Sequence, residues 1–290
     1  MSVEALVFNL LNGLTLGMLL FLIGSGLSIV MGLMGITNIA HGAFYMLGGY
    51  LGWTLAVQHN YNFWIAALLA GIGVGVVGLL LERVFLNRLY KQPNEQVMLT
   101  FGFVYIITNL SLWIWGGRFR ATYTAEFLNQ SIEVFGVRYP AARLSIIVIG
   151  IILGIILWYL QEKTRIGAIV RAGMDDKMTT MGLGINLDRV FTAVFFFAAF
   201  LTGSTGVIGA QLYGVYTGLG IETLLLALIV VIVGGVGKVQ GTFIGGIMVG
   251  LVEAFGRALY PGLSMFSVYF IMIMVLILRP QGILGKGVQQ

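Results

Sequence analysis

The sequence predicts an all-α polytopic integral membrane protein with about eight or nine transmembrane helices. Three observations carry that prediction. Hydrophobic residues make up 59% of the 290-residue chain and charged residues only 9%, against about 25% charged in soluble domains, and mean hydropathy is +0.98. No Asp, Glu, Lys or Arg stands between Glu4 and Glu82, a stretch with room for about three spans of about 20 residues each. The 42 glycines follow no Gly-X-Y period, and in an apolar chain they suit helices that pack backbone to backbone in a bilayer. The same figures exclude a soluble enzyme and a disordered tail. A net charge of +5 is too small and too scattered to track phosphates, so no nucleic acid is expected as a partner. With no cysteine there is no disulfide framework or thiolate metal site.

Apolar runs mark the spans at Leu6–Met31, Ile39–Val57, Phe63–Leu81, Val97–Trp115, Leu144–Leu160, Val190–Tyr213, Thr223–Val236, Thr242–Leu259 and Leu263–Leu278. The segment Gly32–Gly42, with Thr37, Asn38 and His41, reads either as a break between two helices or as a re-entrant turn that lowers the count to eight. Basic residues orient the chain. Loops at Glu82–Glu95 and Glu162–Arg189, together with Lys238, Arg279 and Lys286, hold eleven Lys and Arg, against five (Arg118, Arg120, Arg138, Arg143, Arg257) on the other side. Cytoplasmic loops carry the excess, so the N-terminus is expected outside and the C-terminus in the cytoplasm. The whole chain, 1–290, reads as one transmembrane domain with a cytoplasmic loop at 162–189.

Each motif has a structural and a functional reading. Gly73-x-Gly75-x-x-Gly78 matches a dinucleotide fingerprint but lies inside an uncharged apolar run without a preceding strand, so Gly71-xxx-Gly75 is better read as a packing face. The same holds for Gly13-xxx-Gly17, Gly150-xxx-Gly154, Gly241-xxx-Gly245 and Gly246-xxx-Gly250. Gly234-Gly235-Val236-Gly237-Lys238 fails as a P-loop: Ile232 stands where the first glycine belongs and Val239 where the magnesium-binding Ser or Thr belongs. It reads as a tight turn, and any ATP chemistry must reside on another chain. His41 and His59 lack a second ligand at metal spacing, and no catalytic constellation is recognisable. Asn38 and His41, one helical turn apart, either satisfy the backbone of a broken helix or line a pathway. Glu253, with Arg257 at i+4, reads as a helical ion pair. Glu222 heads its span, where the helix dipole favours an anion, and is also a pathway candidate. Ile166, Val170, Met174, Met178 and Met181 recur at three- and four-residue spacing as one apolar helical stripe ending near Gly182 and Gly184. That stripe packs either on the protein's own helices or in a partner's groove, a use to which Met lends itself.

Seven strings, in order, carry a resemblance. They are Asn12-Gly13-Leu14-Thr15-Leu16-Gly17; Gly35-Ile36-Thr37-Asn38-Ile39-Ala40-His41-Gly42; Glu82-Arg83-Val84; Arg171-Ala172 with Asp176; Gly184-Ile185-Asn186-Leu187-Asp188-Arg189-Val190; Gly234-Gly235-Val236-Gly237 with Gly241 and Gly245-Gly246; and Arg279-Pro280-Gln281-Gly282-Ile283-Leu284-Gly285. Together they resemble the LivH-type permease subunit of branched-chain amino acid ABC importers, with departures at Met174 and Thr180, where the family more often has Ala. The resemblance implies a multi-pass protein of a bacterial or archaeal plasma (inner) membrane. It implies three kinds of neighbour besides the lipid bilayer: a LivM-type second permease, two cytoplasmic ABC ATPases that hold the ATP and Mg, and an extracytoplasmic solute-binding protein. No cofactor is expected on this chain. The resemblance makes Arg165, Gly167, Arg171, Ala172, Met174, Asp175, Asp176, Met178, Met181, Gly184, Ile185 and Asn186 the loop that couples to the ATPases.

The expected function is therefore a permease subunit that forms the translocation pathway and is not itself an enzyme. Same-family importers of urea, short amides or aromatic acids are the alternative. A secondary transporter or channel would need no docking loop, and an integral-membrane enzyme would need a site that is not found. Pathway candidates are Asn12, Thr15, Asn38, His41 and Glu222. Because the first uncharged run offers only neutral polar groups, a net-neutral solute such as a zwitterionic amino acid is expected over a dianion or a polyamine.

Overall fold

The computed structural model describes residues 2–90 and 92–285, so Lys91 and Lys286, two of the basic residues used for orientation, lie outside the described residues. The described helices are α1 (Val3–Met34), α2 (Ala40–Trp53), α3 (Phe63–Val84), α4 (Pro93–Trp115), α5 (Ala141–Lys163), α6 (Arg165–Asp175), α7 (Lys177–Gly182), α8 (Leu187–Tyr213), α9 (Leu219–Gly234), α10 (Val239–Leu259) and α11 (Ser264–Leu278). Each of the nine apolar runs holds a helix. Six of these, α1, α3, α4, α5, α8 and α10, are long and apolar enough to cross a membrane, while α9 and the Phe266–Leu278 part of α11 are shorter apolar helices.

The axis of the molecule is α1. Its most apolar stretch is 83% buried, whereas that of α4 is 22% buried, which puts α4 at the rim. Glycine explains the difference. A Cβ added to Gly17 would stand 2.7 Å from the Gly246 carbonyl oxygen and 3.0 Å from the Ile247 Cα. Gly13 and Gly17 thus form a seam with Gly246 and Gly250 along which α1 and α10 touch backbone to backbone. In lipid there is no water to expel between helices, so this close packing is what holds them together. On the far side of the bundle, Gly71, Gly75 and Gly78 of α3 take Phe200, Ser204, Phe196 and Ala199 of α8, which bears out packing over nucleotide binding. Leu68, Ile72, Val76, Phe101, Ile106, Ile152, Ile155, Phe270 and Ile277 are exposed on the outer faces of α3, α4, α5 and α11, an apolar belt of the kind lipid covers.

Three local features go beyond the sequence reading. The break at Gly32–Gly42 is resolved: α1 stops at Gly35, whose φ of 74° is left-handed, and the chain then turns back before α2 begins. His41, on the first turn of α2, bonds to Ile23 and Thr202, residues well inside α1 and α8. The helix therefore starts within the bundle and continues outward through a π-helical turn, Thr54–Gln58. A second feature is a hairpin of β1 (Ser131–Val134) and β2 (Val137–Pro140), antiparallel with Ser131 opposite Pro140 and turning on Phe135 and Gly136, both at positive φ. The third is a correction: the expected single stripe helix between 163 and 189 is two helices. Asp176 is extended (φ −153°, ψ 106°) and caps α7, so Ile166, Val170 and Met174 sit on one helix and Met178 and Met181 on another.

Candidate functional site: two polar ends of one bundle

At the end of the bundle where α1 and α5 finish and a short turn joins α9 to α10, α6 is clamped by its own small residues. Thr164 caps it by accepting from the Gly167 amide, 3.1 Å, and Gly167 is buried against the Leu160 and Gln161 carbonyls of α5. Val170 is buried. Met174 packs on Gly32 of α1 and Gly237 of the α9–α10 turn. That turn is itself fastened: the Gln161 side-chain amide donates to the Gly237 carbonyl (2.7 Å) and accepts from the Val239 amide (2.9 Å), and Ser28 accepts from the Gly237 amide (2.9 Å). Gly235 and Gly237 both have positive φ, consistent with a tight turn. The Ile283 and Leu284 amides donate to the Val233 and Gly234 carbonyls, so the chain after α11 closes the last turn of α9. A cavity of about 540 Å³ opens between these pieces, with Met31, Glu162, Arg171, Met174, Asp175 and Lys238 on its walls.

Beyond α6 the polarity inverts. Asp176 accepts from the amides of Met178 (2.9 Å) and Thr179 (3.1 Å) and from the Thr179 hydroxyl; these bonds hold its carboxyl below the usual carboxylate pKa. Lys177 donates to the Met34 carbonyl, 3.0 Å, capping α1, and its ammonium pKa is lowered by partial burial. Thr180 is buried and donates to the Asp176 carbonyl. Meanwhile Ile166 (70%), Met178 (76%), Met181 (48%) and Leu183 (75%) stand exposed. The stripe is thus divided: Val170 and Met174 pack inward on the chain's own helices, and Ile166, Met178 and Met181 are exposed. Arg171 lies 3.7 Å from Glu162, Ala172 is half-buried, Gly184 is left-handed at φ 83°, Ile185 packs on the core, and Asn186 caps α8 through the Arg189 amide.

The opposite end gathers charge. Asn12 and Thr15 of α1 meet Tyr139 of β2 and Arg143 of α5. The Tyr139 hydroxyl donates to Asn12 Oδ1 at 2.9 Å and Arg143 Nη1 donates to the same oxygen at 2.8 Å, with the Thr15 hydroxyl 3.0 Å from that of Tyr139. Across a cavity of about 350 Å³ stand Tyr213, Glu253 and Arg257, the last two joined at 2.6 Å, the i+4 pair expected from sequence. The structure thus brings Asn12 and Thr15 together with charges that come from other helices. The missed residue is Arg143. Its signal was available, as a lone Arg at the start of an apolar run, but its cavity depends on a hairpin that propensity does not announce.

The other pathway candidates lie elsewhere. His41 Nε2 donates to the Ile23 carbonyl at 3.1 Å, with the Thr202 hydroxyl 2.7 Å away. The Asn38 side chain is buried without a hydrogen-bond partner among the described residues. Glu222 is exposed on the first turn of α9 and accepts from the Tyr216 hydroxyl. Among the described residues no cluster of three His, Cys, Asp or Glu suits a metal.

Residues 9–278 match the family described as branched-chain amino acid transport system / permease component. The high-affinity branched-chain amino acid transport system permease protein BraD of Pseudomonas aeruginosa is 28% identical over 96% of this chain and 95% of its own length. The corresponding permease protein LivH of Escherichia coli is 27% identical over 99% of this chain and 98% of its own. Permease protein LivM of Escherichia coli is 24% identical over 93% of this chain and 68% of its own. No solved structure matches.

Proposed function

The chain belongs to the family of branched-chain amino acid transport permeases, and on that premise we propose that it is a membrane-spanning subunit of an ATP-driven importer of branched-chain amino acids. It is a transport subunit and not an enzyme; the ATP and Mg belong to two partner ATPases. The other partners are a LivM-type second permease and an extracytoplasmic solute-binding protein, and the membrane is the inner one. Nine helices cross it: α1 to α5 and α8 to α11, with α2 completed by its π turn. The N-terminus is outside and the C-terminus in the cytoplasm, and residues 1–290 form one transmembrane domain.

The observation that carries this reading is the α6–α7 element. Four large apolar side chains stand exposed on it, on the end of the bundle to which the basic loops belong, where no lipid would cover them. An apolar patch facing water marks an interaction surface. Its anchor, Met174, touches both α1 and the α9–α10 turn, so a push on α7 reaches the ends of helices that define the pathway. ATP-driven closure of the ATPases then tilts these helices and exchanges outward for inward access.

The test is uptake of labelled leucine by proteoliposomes holding the whole complex, with the binding protein outside and ATP inside. Uptake that needs both ATP and the binding protein is expected. Uptake driven instead by a proton or sodium gradient, without the ATPases, would overturn the reading; uptake of urea or an amide with no uptake of leucine would move the substrate within the family.

A further inference from the structure

The charged cavity has a composition that the transport reading does not by itself require. Its walls carry Arg143, Glu253 and Arg257. Arg257 engages Glu253 through Oε1, while Arg143 makes no ion pair among the described residues and donates to the neutral Asn12. A guanidinium at a cavity wall whose neighbours, Asn12 and Tyr139, are uncharged favours an added anion, because charges withdrawn from water are costly unless matched. The Glu253 side chain is 10% exposed while that of Arg257 is 64% exposed, so the carboxylate lies deep and its cation lies at the rim. Tyr213 lines the same cavity as all three charges. Leu16, Leu212, Ala254 and Ala258 supply the apolar part of the wall. The volume, about 350 Å³, is at the small end of ligand sites, which run from about 300 Å³ upward.

An α-amino acid carries an anion and a cation on one carbon and, in the branched-chain case, an apolar side chain. We propose that this cavity is a selectivity site for that zwitterionic head group: Arg143 takes the carboxylate, Glu253 takes the ammonium, and the apolar wall takes the side chain. The proposal rests on the amino acid importer reading. It revises the expectation of an uncharged pathway while keeping the net-neutral solute. A solute with a single charge makes only one of these two contacts, and urea or a short amide makes neither.

The experiment uses the chain's lack of native cysteine. Ala254→Cys is introduced into the whole complex, assembled with cysteine-free partners in nanodiscs. Labelling is followed with an anionic and a cationic methanethiosulfonate of equal size. The anionic reagent is expected to react faster, and leucine, but neither leucinamide nor 4-methylpentanoate, is expected to slow both. Adding Arg143→Gln should remove the preference and the protection, raising the half-saturating leucine concentration by about ten- to hundredfold, the range for losing a hydrogen bond to a charged group; Arg143→Lys should retain the preference. If Ala254→Cys fails to assemble, Ala258→Cys on the same wall serves. Equal labelling by the two reagents, or leucine protection that survives Arg143→Gln, overturns the site. Leucine uptake by the unmodified complex is measured alongside: its absence counts against the importer reading, whereas its presence without protection counts against this site alone.

Discussion

The two ends of the bundle break the rule of soluble proteins in opposite directions. At one end charged and polar groups, Arg143, Asn12 and Glu253, surround a cavity between helices. At the other, Ile166, Met178, Met181 and Leu183 stand exposed. An inward-facing charge and an outward-facing apolar group are the arrangements that cost free energy in an isolated chain. Under the proposed function and the proposed selectivity site, a small solute would match the first arrangement and a protein groove the second. The helices between the ends are ordinary membrane packing. Gly17, Gly246 and Gly250 meet backbone, Gly75 and Gly78 meet side chains, and Leu, Ile, Val and Phe stand exposed on the outer faces.

The comparison breaks most sharply at the apolar end. Leu183→Asp together with Met178→Asp places carboxylates at two of the most exposed positions of this end. The permease should stay in the membrane at its normal level, while co-purification of the ATPases and ATP-dependent uptake fall by about a hundredfold or more, as for charges buried in a docking site. Normal uptake in the double variant would show that the surface faces only water. Which ends face which compartment is tested by single cysteines. Thr179→Cys should be shielded from an impermeant thiol reagent in intact cells, and Asn129→Cys, in the loop before the hairpin, should label. The reverse pattern would exchange the two ends.

The seam between the ends is next in size. Gly17→Leu forces a side chain into the Gly246 backbone, where even a Cβ stands at 2.7 Å. Overpacking of this kind costs about 1–3 kcal/mol or more, and here the backbones have nowhere to move without parting α1 from α10. Thermal melting of the purified complex should show a clear loss of stability. Gly102→Leu is the control: a Cβ there meets nothing within 4 Å, so that variant should melt like the parent. Equal melting of the two would remove the seam from the account.

Much of this was legible before the fold. Each of the nine apolar runs holds a helix among the described residues, because a long uncharged run has few other solutions in lipid. The small-xxx-small pairs marked real contacts, and the Glu253–Arg257 pair followed from helical spacing. What was not legible had one physical cause: it depends on contacts between segments far apart in sequence. Nothing local to Arg143 says that Asn12 stands 2.8 Å away, or that Tyr139 on a short hairpin fixes both. The split of the stripe helix at Asp176 was closer to reach. Asp is a strong N-cap residue, and the three- and four-residue spacing of apolar positions continues across the break, masking it.

Asp176 supplies the smallest and most local test. Its carboxylate accepts three hydrogen bonds from the first turn of α7, from two amides and one hydroxyl, and these hold its pKa below the usual value, the Thr179 hydroxyl contributing most. The folded pKa being the lower one, the unfolded segment binds the proton more readily. The stabilisation is fully present above the unfolded pKa of about 3.9 and is lost as pH falls through the folded value. Between neutral pH and about pH 5 the capping should therefore be constant, and below about pH 4 it should weaken. Hydrogen exchange at the Met178 and Thr179 amides reads this directly. Asp176→Ala should speed it by a few-fold at neutral pH, since a cap is removed. Asp176→Asn keeps an acceptor oxygen without the charge, so it should exchange at an intermediate rate and lose the acid dependence. An acid dependence that survives in the Asn variant would place the titrating group elsewhere. Because α7 presents Met178 and Met181 at the apolar end, uptake in the Ala variant should fall by less than in the double carboxylate variant: the surface is loosened, not charged.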